Sequence, residues 1–74
     1  MQIICETDRE WQVAREQLEK QGYMWASNHR PTELYSNKRG NGTLTLDEKT
    51  KTLTGGNRQS DAVKASKLYA NLLR

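Results

Sequence analysis

The residue types that carry most enzyme chemistry are scarce in this sequence. It contains one histidine, His29, and one cysteine, Cys5, and nothing in their spacing joins them into a nucleophile and its base. Isolated cysteines are among the most buried residues, so Cys5 is expected in the core, whereas His29 lies in a polar stretch and is expected at the surface. Zinc would require at least three such ligands. We therefore predict a protein that binds its target without catalysing a reaction and without a metal or cofactor.

The carboxylates and glycines of the later sequence have structural explanations. The acidic side chains beyond residue 22 all fall at predicted turns or caps, and they are Glu33, Asp47, Glu48 and Asp61. Neither Gly40 with Gly42 nor the pair Gly55 and Gly56 has the strand–GxxxxGK[ST]–helix pattern of a phosphate loop. The second pair leads into a predicted helix N-terminus, where an anion could bind.

Basic residues are the stronger candidates for contact with a partner. Residues 1–22 contain three basic and five acidic side chains, whereas residues 23–74 contain nine basic and four acidic ones. This asymmetry predicts a basic side formed by the C-terminal two thirds. It indicates either a solvated face that keeps a small protein soluble or a contact surface. The candidate binding residues are Trp25, His29, Arg30, Lys38, Arg39, Arg58, Lys64 and Lys67.

Length and composition predict one small domain with a thin core. A chain of 74 residues has room for a single core, so residues 1–74 are assigned to one domain. Hydrophobic residues make up 34%, phenylalanine is absent and the mean hydropathy is -1.01. A homodimer would supply further burial. Apolar residues recur at helix and strand periods between capping and turn signals, which argues against a disordered chain.

The sequence also indicates a compartment. No run of residues has the length of a membrane span or the basic-then-apolar pattern of a signal peptide. A single cysteine cannot form an internal disulfide, which fits a reducing environment. We therefore expect a cytoplasmic protein with no membrane partner.

The first quarter of the sequence predicts a strand followed by a helix. Residues 1–5 favour a β-strand. Thr7 and Glu10 match a capping box, which opens a helix over residues 8–21, and Gly22 is the expected left-handed residue that ends it. Trp11 lies on the apolar stripe of this helix and is assigned to the core.

Further strands are predicted across the middle of the chain. Residues 23–26 are rich in β-formers, and their Trp25 is left open between the core and a partner contact. Residues 34–38 and 43–47 flank a glycine-rich turn and predict a hairpin, and residues 51–54 continue the sheet. The threonines of residues 43–47 alternate with leucines, which predicts one apolar face and one threonine face for solvent or binding.

The final segment predicts a second helix and completes the order. Ser60 is a suitable N-cap for a helix running to near Arg74, with Ala65 and Tyr69 on its core stripe. The predicted fold is α+β, with a small antiparallel sheet of three to five strands, two helices packed on one face and the order β-α-β-β-β-α.

Part of this order is similar to the double-stranded-RNA-binding domain, with the α-β-β-β-α portion falling in residues 7–73. That family reads RNA shape through its first helix, its first strand–strand loop and the N-terminus of its last helix. The matching stretches here are residues 7–21, 27–32 and 55–67. The resemblance implies RNA or DNA as a partner, bound through the basic loops together with Lys64 and Lys67.

A second resemblance involves residues 18–27, Leu-Glu-Lys-Gln-Gly-Tyr-Met-Trp-Ala-Ser. This segment, followed by a polar loop and threonine-rich hairpins, looks like small uncharacterised bacteriophage proteins. The resemblance implies a non-enzymatic phage protein acting in the host cytoplasm. Its partner would be a host protein that it inhibits, or an anionic ligand such as a nucleotide that it sequesters from host defence. Nucleic-acid binding is the alternative.

Overall fold

The chain forms one five-stranded sheet and three helices. The computed structural model describes all 74 residues. The elements are β1 (Gln2–Ile4), α1 (Asp8–Lys20), β2 (Met24–Trp25), β3 (Thr43–Asp47), β4 (Thr52–Thr54), β5 (Val63–Lys64), α2 (Ala65–Leu68) and α3 (Ala70–Leu73). The strand order in the sheet is β2-β4-β3-β1-β5. The predicted α+β class is confirmed.

The sheet is mixed, so the prediction of an antiparallel sheet is wrong. β3 pairs antiparallel with both β1 and β4, but β5 pairs parallel with β1 and β2 pairs parallel with β4. Four strands therefore run in one direction and β3 runs in the other. The cause is connectivity: α1 carries the chain back across the sheet before β2, so β2 starts again in the direction of β1.

Helix α1 has the predicted ends. The Glu10 N–H donates to Thr7 Oγ1 at 3.1 Å, but the Glu10 carboxylate accepts from the N–H of Glu6 at 2.9 Å, one residue before the predicted partner. At the other end Gly22 has φ +90°, and the N–H of Tyr23 donates to the Leu18 carbonyl at 3.0 Å. This bond is half of a Schellman motif, and it ends the helix where the sequence predicts.

The core lies between α1 and one face of the sheet. Ile3 pairs with Leu44, and Leu46 pairs with Leu53, so that apolar side chains of three strands share a face. The buried stripe of α1 and the later aromatics complete this core, and its other members are Cys5, Trp11, Ala14, Leu18, Tyr23, Trp25, Ala65 and Tyr69. The core positions of Cys5 and Trp11 are confirmed.

The opposite face of the sheet is partly covered. The Gln2 Nε2 donates to Thr45 Oγ1 at 3.0 Å and to the Asn57 carbonyl at 2.7 Å, and the Gln2 Oε1 accepts from the Gln59 N–H at 2.8 Å. The segment after β4 therefore crosses this face on its way to β5. The threonine face, predicted to be open, is covered there and exposed at Thr54.

The predicted strand over residues 34–38 does not form. A tight turn is present, because the Gly42 N–H donates to the Arg39 carbonyl at 2.9 Å, and β3 begins at Thr43 as predicted. The residues before the turn instead form an irregular loop across the end of the sheet. Their carbonyls bond to side chains of α1, and these bonds replace those of a strand ladder.

The predicted long final helix is also wrong. Residues 63–64 form β5, and the helical part is split into α2 and α3, each of four residues. The predicted N-cap Ser60 lies in a turn before β5. Pairing of β5 with β1 outweighs the local helix signal around Lys64. Ala65 and Tyr69 are buried as predicted. No helix is long and apolar enough to cross a membrane.

Candidate ligand-binding site

A cleft of about 500 Å³ lies at one end of the sheet. This volume is within the range of roughly 300 to 1,000 Å³ that is usual for small-molecule sites. β2 and β4 end at the cleft, and β3 begins there. The lining residues are Trp11, Trp25, Ala26, Ser27, Tyr35, Arg39, Gly40, Asn41, Thr43, Leu53, Thr54, Gly55 and Gly56.

The position of the cleft follows from strand direction. The four strands that run together all have their carboxyl ends at this end of the sheet. Loops that leave the carboxyl ends of such strands commonly form ligand sites in open sheets with parallel strands. Here the Ala26 and Ser27 backbone leaves β2, and the Gly55 and Gly56 backbone leaves β4.

Aromatic rings form one side of the cleft. The Trp25 ring lies 6.3 Å from the Trp11 ring and 5.1 Å from the Tyr35 ring, which meets it edge to face. Trp25 is 6% exposed and Tyr35 is 40% exposed, so the tryptophan lies deep and the tyrosine forms the rim. Both indole N–H groups are bonded within the protein, Trp11 to the Tyr35 carbonyl at 2.7 Å and Trp25 to the Pro31 carbonyl at 3.1 Å. The indoles therefore offer ring surface, and no donor, to a ligand.

A buried arginine holds the rim in place. Arg15 is 3% exposed, and its Nη1 donates to the carbonyls of Pro31 and Leu34 at 3.0 and 2.9 Å. Its Nη2 donates to the Ser36 carbonyl at 3.3 Å. Burial lowers the pKa of Arg15 below its usual value. We call residues 31–36, which receive these bonds, the pinned segment.

The pinned segment holds Tyr35 in an unusual conformation. Tyr35 has φ +58°, a left-handed region that bulky side chains rarely adopt. Bonds from α1 reach the carbonyls of Leu34, Tyr35 and Ser36 in succession, and they fix this conformation. Strained residues held by their surroundings occur preferentially at functional sites. These bonds therefore fix the position of the Tyr35 ring at the rim of the cleft.

The part of the cleft lining next to Tyr35 is rich in hydrogen-bond donors. The Arg39 guanidinium lies over the Tyr35 ring, 4.4 Å from its centroid, and makes neither an ion pair nor a side-chain hydrogen bond. Asn41 Oδ1 accepts from the Thr43 N–H at 3.2 Å, which leaves its Nδ2 group without a protein partner. Thr43 is 2% exposed, and its Oγ1 has no hydrogen-bond partner. A buried hydroxyl without a partner is costly.

Backbone donors add to this side. The N–H groups of Gly40, Asn41, Gly55 and Gly56 donate to no protein acceptor. Gly40 has φ +56° and Gly56 has φ +134°, conformations that glycine adopts without steric cost. Free N–H groups on glycine turns are a common means of binding anions. The cleft lining contains no carboxylate, so its only charged side chain is Arg39.

The structure brings two of the predicted binding residues together in the cleft. Trp25 and Arg39 line it directly. Trp25, left open by the sequence, belongs both to the core and to the cleft. Lys38 is the neighbour of Arg39, and its Nζ lies 3.4 Å from the Gly40 carbonyl. His29 is half-buried, and its Nδ1 is 3.0 Å from the hydroxyl of Ser27, a lining residue.

The other predicted residues lie elsewhere. Arg30 is exposed and precedes the pinned segment, while Arg58 is exposed on the segment that crosses the sheet. Lys64 lies on β5, at the opposite edge of the sheet from β2, and its Nζ is 3.8 Å from Glu6 Oε1. Lys67 is exposed on α2. The eight residues therefore do not all line a single site.

Five polar lining residues were not among the predicted binding residues, and they are Ser27, Tyr35, Asn41, Thr43 and Thr54. The sequence assigns Tyr35 to a strand, but the two side chains that place it, Trp11 and Trp25, lie 24 and 10 residues before it. A signal was present in the glycines, because Gly40, Gly55 and Gly56 line the cleft. The sequence indicated an anion only beside Gly55 and Gly56, at the N-terminus of a long helix that does not form.

The cysteine lies next to the loop that bears Arg39. The Cys5 N–H donates to the Gly42 carbonyl at 2.8 Å, and a Cβ at Gly42 would overlap the Cys5 carbonyl oxygen. Burial raises the pKa of the Cys5 thiol to about 12. The thiol therefore stays protonated at neutral pH and is a poor nucleophile.

Comparison of the chain with protein-family models, curated proteins and solved structures finds no match. Its class therefore follows from the fold and the cleft: a small α+β protein with an aromatic, donor-rich cleft at the carboxyl ends of its strands.

Proposed function

We propose that this protein binds a small anionic ligand in the cleft and releases it chemically unchanged. The observation that carries the proposal is the combination, in one cavity, of the unpaired Arg39 guanidinium with backbone N–H groups that have no acceptor. Such donors are stabilised by a negative charge, and hydrogen bonds to charged groups are the stronger ones.

Binding without catalysis is proposed because the lining supplies no effective proton acceptor. It contains no carboxylate, imidazole, thiol or amine, and its hydroxyls are those of serine, threonine and tyrosine. General acid–base catalysis near neutral pH depends mainly on carboxylates, imidazoles, thiols and amines. His29 could act only through Ser27, whose hydroxyl it contacts from outside the lining.

The biological setting we propose is a bacteriophage infection. Support comes from the resemblance of residues 18–27 to small phage proteins and from the size of the chain. A phage protein of this kind would sequester an anionic host signal. Ligand capture is favoured over occlusion of a host protein because a cavity with unsatisfied donors is built into the fold.

Nucleic-acid binding has less support. The long helix that would carry Lys64 and Lys67 on one face does not form. Lys64 also pairs with Glu6, which offsets part of its charge. The other predicted cations that are exposed, Arg30, Arg39, Arg58 and Lys67, lie on different segments of the chain.

Equilibrium dialysis tests the proposal. The purified protein and its Arg39→Ala variant would be dialysed against a protein-free extract of bacterial small molecules, and bound compounds identified by mass spectrometry. We expect one or more anions to be retained by the wild type, intact and stoichiometric, and lost from the variant. Arg58→Ala is the matched control, because it removes an exposed arginine outside the cleft and should retain the ligand. Absence of any retained anion, or its conversion to a product, would contradict the proposal.

A further inference from the structure

We infer that the ligand is a free mononucleotide, with its base against the rings of Trp25 and Tyr35 and its phosphate at Arg39 and the glycine turns. This inference rests on the proposed function and names the ligand class of the same cleft. It is carried by three features of the lining: ring surfaces without donors, a cluster of donors without acceptors, and one buried hydroxyl without a partner.

The ring surfaces indicate a planar group. Trp11 and Trp25 use their indole N–H groups on protein carbonyls, so what they present to the cleft is carbon. The Tyr35 ring stands edge to face against Trp25 and reaches the rim. Exposed aromatic rings bind nucleobases by stacking, and they tolerate any base because every base has a π-face. Tyr35 is the exposed ring here, and Trp25 supports it from the interior.

The number of donors indicates phosphate. Arg39 brings a fork of N–H groups, and Gly40, Asn41, Gly55 and Gly56 bring four backbone N–H groups that are not used within the protein. A carboxylate has two oxygens, whereas a phosphate monoester has three terminal oxygens and more negative charge to distribute among such donors. The guanidinium lies directly over the Tyr35 ring, so the charge and the aromatic surface are adjacent. A nucleotide likewise carries its phosphate a few bonds from its base.

The buried hydroxyl indicates a specific polar contact. Thr43 and Asn41 both line the cleft, and neither the buried Thr43 Oγ1 nor the Asn41 Nδ2 group has a partner within the protein. A site with polar groups left unsatisfied in this way discriminates strongly in favour of ligands that satisfy them. The base or ribose of a nucleotide offers such groups in addition to its phosphate oxygens, whereas inorganic phosphate has no second polar group away from those oxygens.

A free mononucleotide is favoured over a strand of nucleic acid. Proteins that bind single strands combine successive stacking rings with a basic groove that follows the backbone. Here the aromatic rings are gathered in one cleft, and Arg58, Lys64 and Lys67 do not line it. The lining therefore offers one cation and one group of rings, which suits a single nucleotide.

The test is a titration followed by quenching of tryptophan fluorescence, because Trp11 and Trp25 both line the cleft. The probes are AMP, GMP, CMP and UMP, with ribose 5-phosphate, adenosine, inorganic phosphate and a decamer of adenylate as comparisons. We expect at least one mononucleotide to bind about 10-fold or more tightly than ribose 5-phosphate, since base stacking contributes that much. The same mononucleotide should bind more tightly than adenosine, inorganic phosphate or the decamer.

Two variants test the assignment of the donors. Arg39→Ala should lower the affinity for the preferred mononucleotide by about 10-fold or more, as expected for the loss of a charged hydrogen bond. Thr43→Val removes the hydroxyl while the side chain keeps nearly the same shape. It should lower the affinity for the same mononucleotide by about 3- to 10-fold. The fold should remain intact in Thr43→Val, because the lost hydroxyl has no protein partner. Arg58→Ala, the control outside the cleft, should bind like the wild type.

The outcomes separate this inference from the function on which it rests. If ribose 5-phosphate binds as tightly as every mononucleotide, the base is not recognised and the inference fails, while anion capture stands. Tighter binding of the adenylate decamer than of AMP would show a strand site and overturn the inference. If none of the probes binds, the nucleotide assignment is wrong, and the dialysis experiment decides independently whether another anion is captured. Unchanged affinity in both Arg39→Ala and Thr43→Val would also overturn it.

Discussion

Two stretches of the chain lack long regular elements, and they are held by different means. The loop of residues 31–38 is bonded to side chains of α1 at four points of one stripe, Asp8, Trp11, Arg15 and Glu19. The C-terminal residues 65–74 receive one side-chain hydrogen bond from elsewhere, from Arg9 to the Leu72 carbonyl at 3.4 Å.

Regular secondary structure and attachment to the rest of the fold do not coincide in this protein. Residues 65–73 are largely helical, yet Leu68 and Leu72 are 43% and 48% exposed, and the segment depends on the burial of Ala65 and Tyr69. The loop has no ladder of its own, yet its carbonyls are fixed by buried donors. The part of the molecule that forms the cleft is thus the irregular part that α1 organises.

The largest effect should follow from Trp11→Ala. This change removes a core ring and the donor to the Tyr35 carbonyl, so we expect the free energy of unfolding to fall by about 3 to 5 kcal/mol. Urea denaturation would measure it. Leu72→Ala truncates an exposed apolar residue of the C-terminal stretch. It should lower the free energy of unfolding by less than about 0.5 kcal/mol. If both variants lost the same free energy of unfolding, the two stretches would not differ in how firmly they are held.

The next effect concerns Arg15→Met, which keeps an unbranched side chain but leaves the carbonyls of Pro31, Leu34 and Ser36 without their donor. We expect a loss of about 2 to 4 kcal/mol, and weaker ligand binding because Tyr35 is no longer held. Arg9→Met, on the same helix, removes only the long bond to the C-terminal stretch and should change stability by less than about 0.5 kcal/mol. A stable Arg15→Met protein with full ligand affinity would show that the pinning is unimportant.

Hydrogen exchange should distinguish the two stretches without mutation. Helices of four residues have few internal hydrogen bonds and open at low cost, so the amides of α2 and α3 should exchange faster than those in the middle of α1. The N–H of Thr32 donates to Glu19 at 3.2 Å and should show protection although it lies in a loop. If the Thr32 amide exchanged faster than every amide of α3, the loop would be less firmly held than the C-terminal stretch, which contradicts our expectation.

The smallest effect should be a pH dependence of the loop contact at Glu19. Hydrogen bonds from the Thr32 hydroxyl and N–H hold the pKa of Glu19 below its usual 4.5. A carboxyl with a lowered folded pKa stabilises the native state above its unfolded pKa, and this contribution is lost as the pH falls through the folded value. The melting temperature of the wild type should therefore approach that of Glu19→Gln below about pH 4.5. A constant difference between them across that range would contradict this contact.

The sequence predicted the local features well. Thr7, Glu10 and Gly22 mark the ends of α1 through contacts with residues three to five positions away, and these need no distant partner. The turn between β3 and β4 is equally local, since Asp47 Oδ1 accepts from the N–H groups of Lys49 and Thr50. Such signals determine where elements begin and end.

The sequence failed where distant partners decide the structure. Residues 34–38 have the composition of a strand, but side chains of α1 take their carbonyls. Residues 63–64 have the composition of a helix, but β1 pairs with them across some 60 positions of sequence. The cleft residues also divide into those that local sequence indicates and those that it does not. Trp25 and Arg39 were predicted from their residue type and their position in or near loops. Thr43 became a candidate only because its hydroxyl is buried and unpaired in the structure.

The most direct test of the account is an amide NMR titration with the tightest-binding of the four mononucleotides. If the mononucleotide binds in the cleft, we expect chemical-shift changes at the backbone N–H groups of Gly40, Asn41, Gly55 and Gly56 and at the Trp25 indole. Residues 65–74 should change little. Shifts that centre instead on Arg58, Lys64 and Lys67, with none in the cleft, would contradict it.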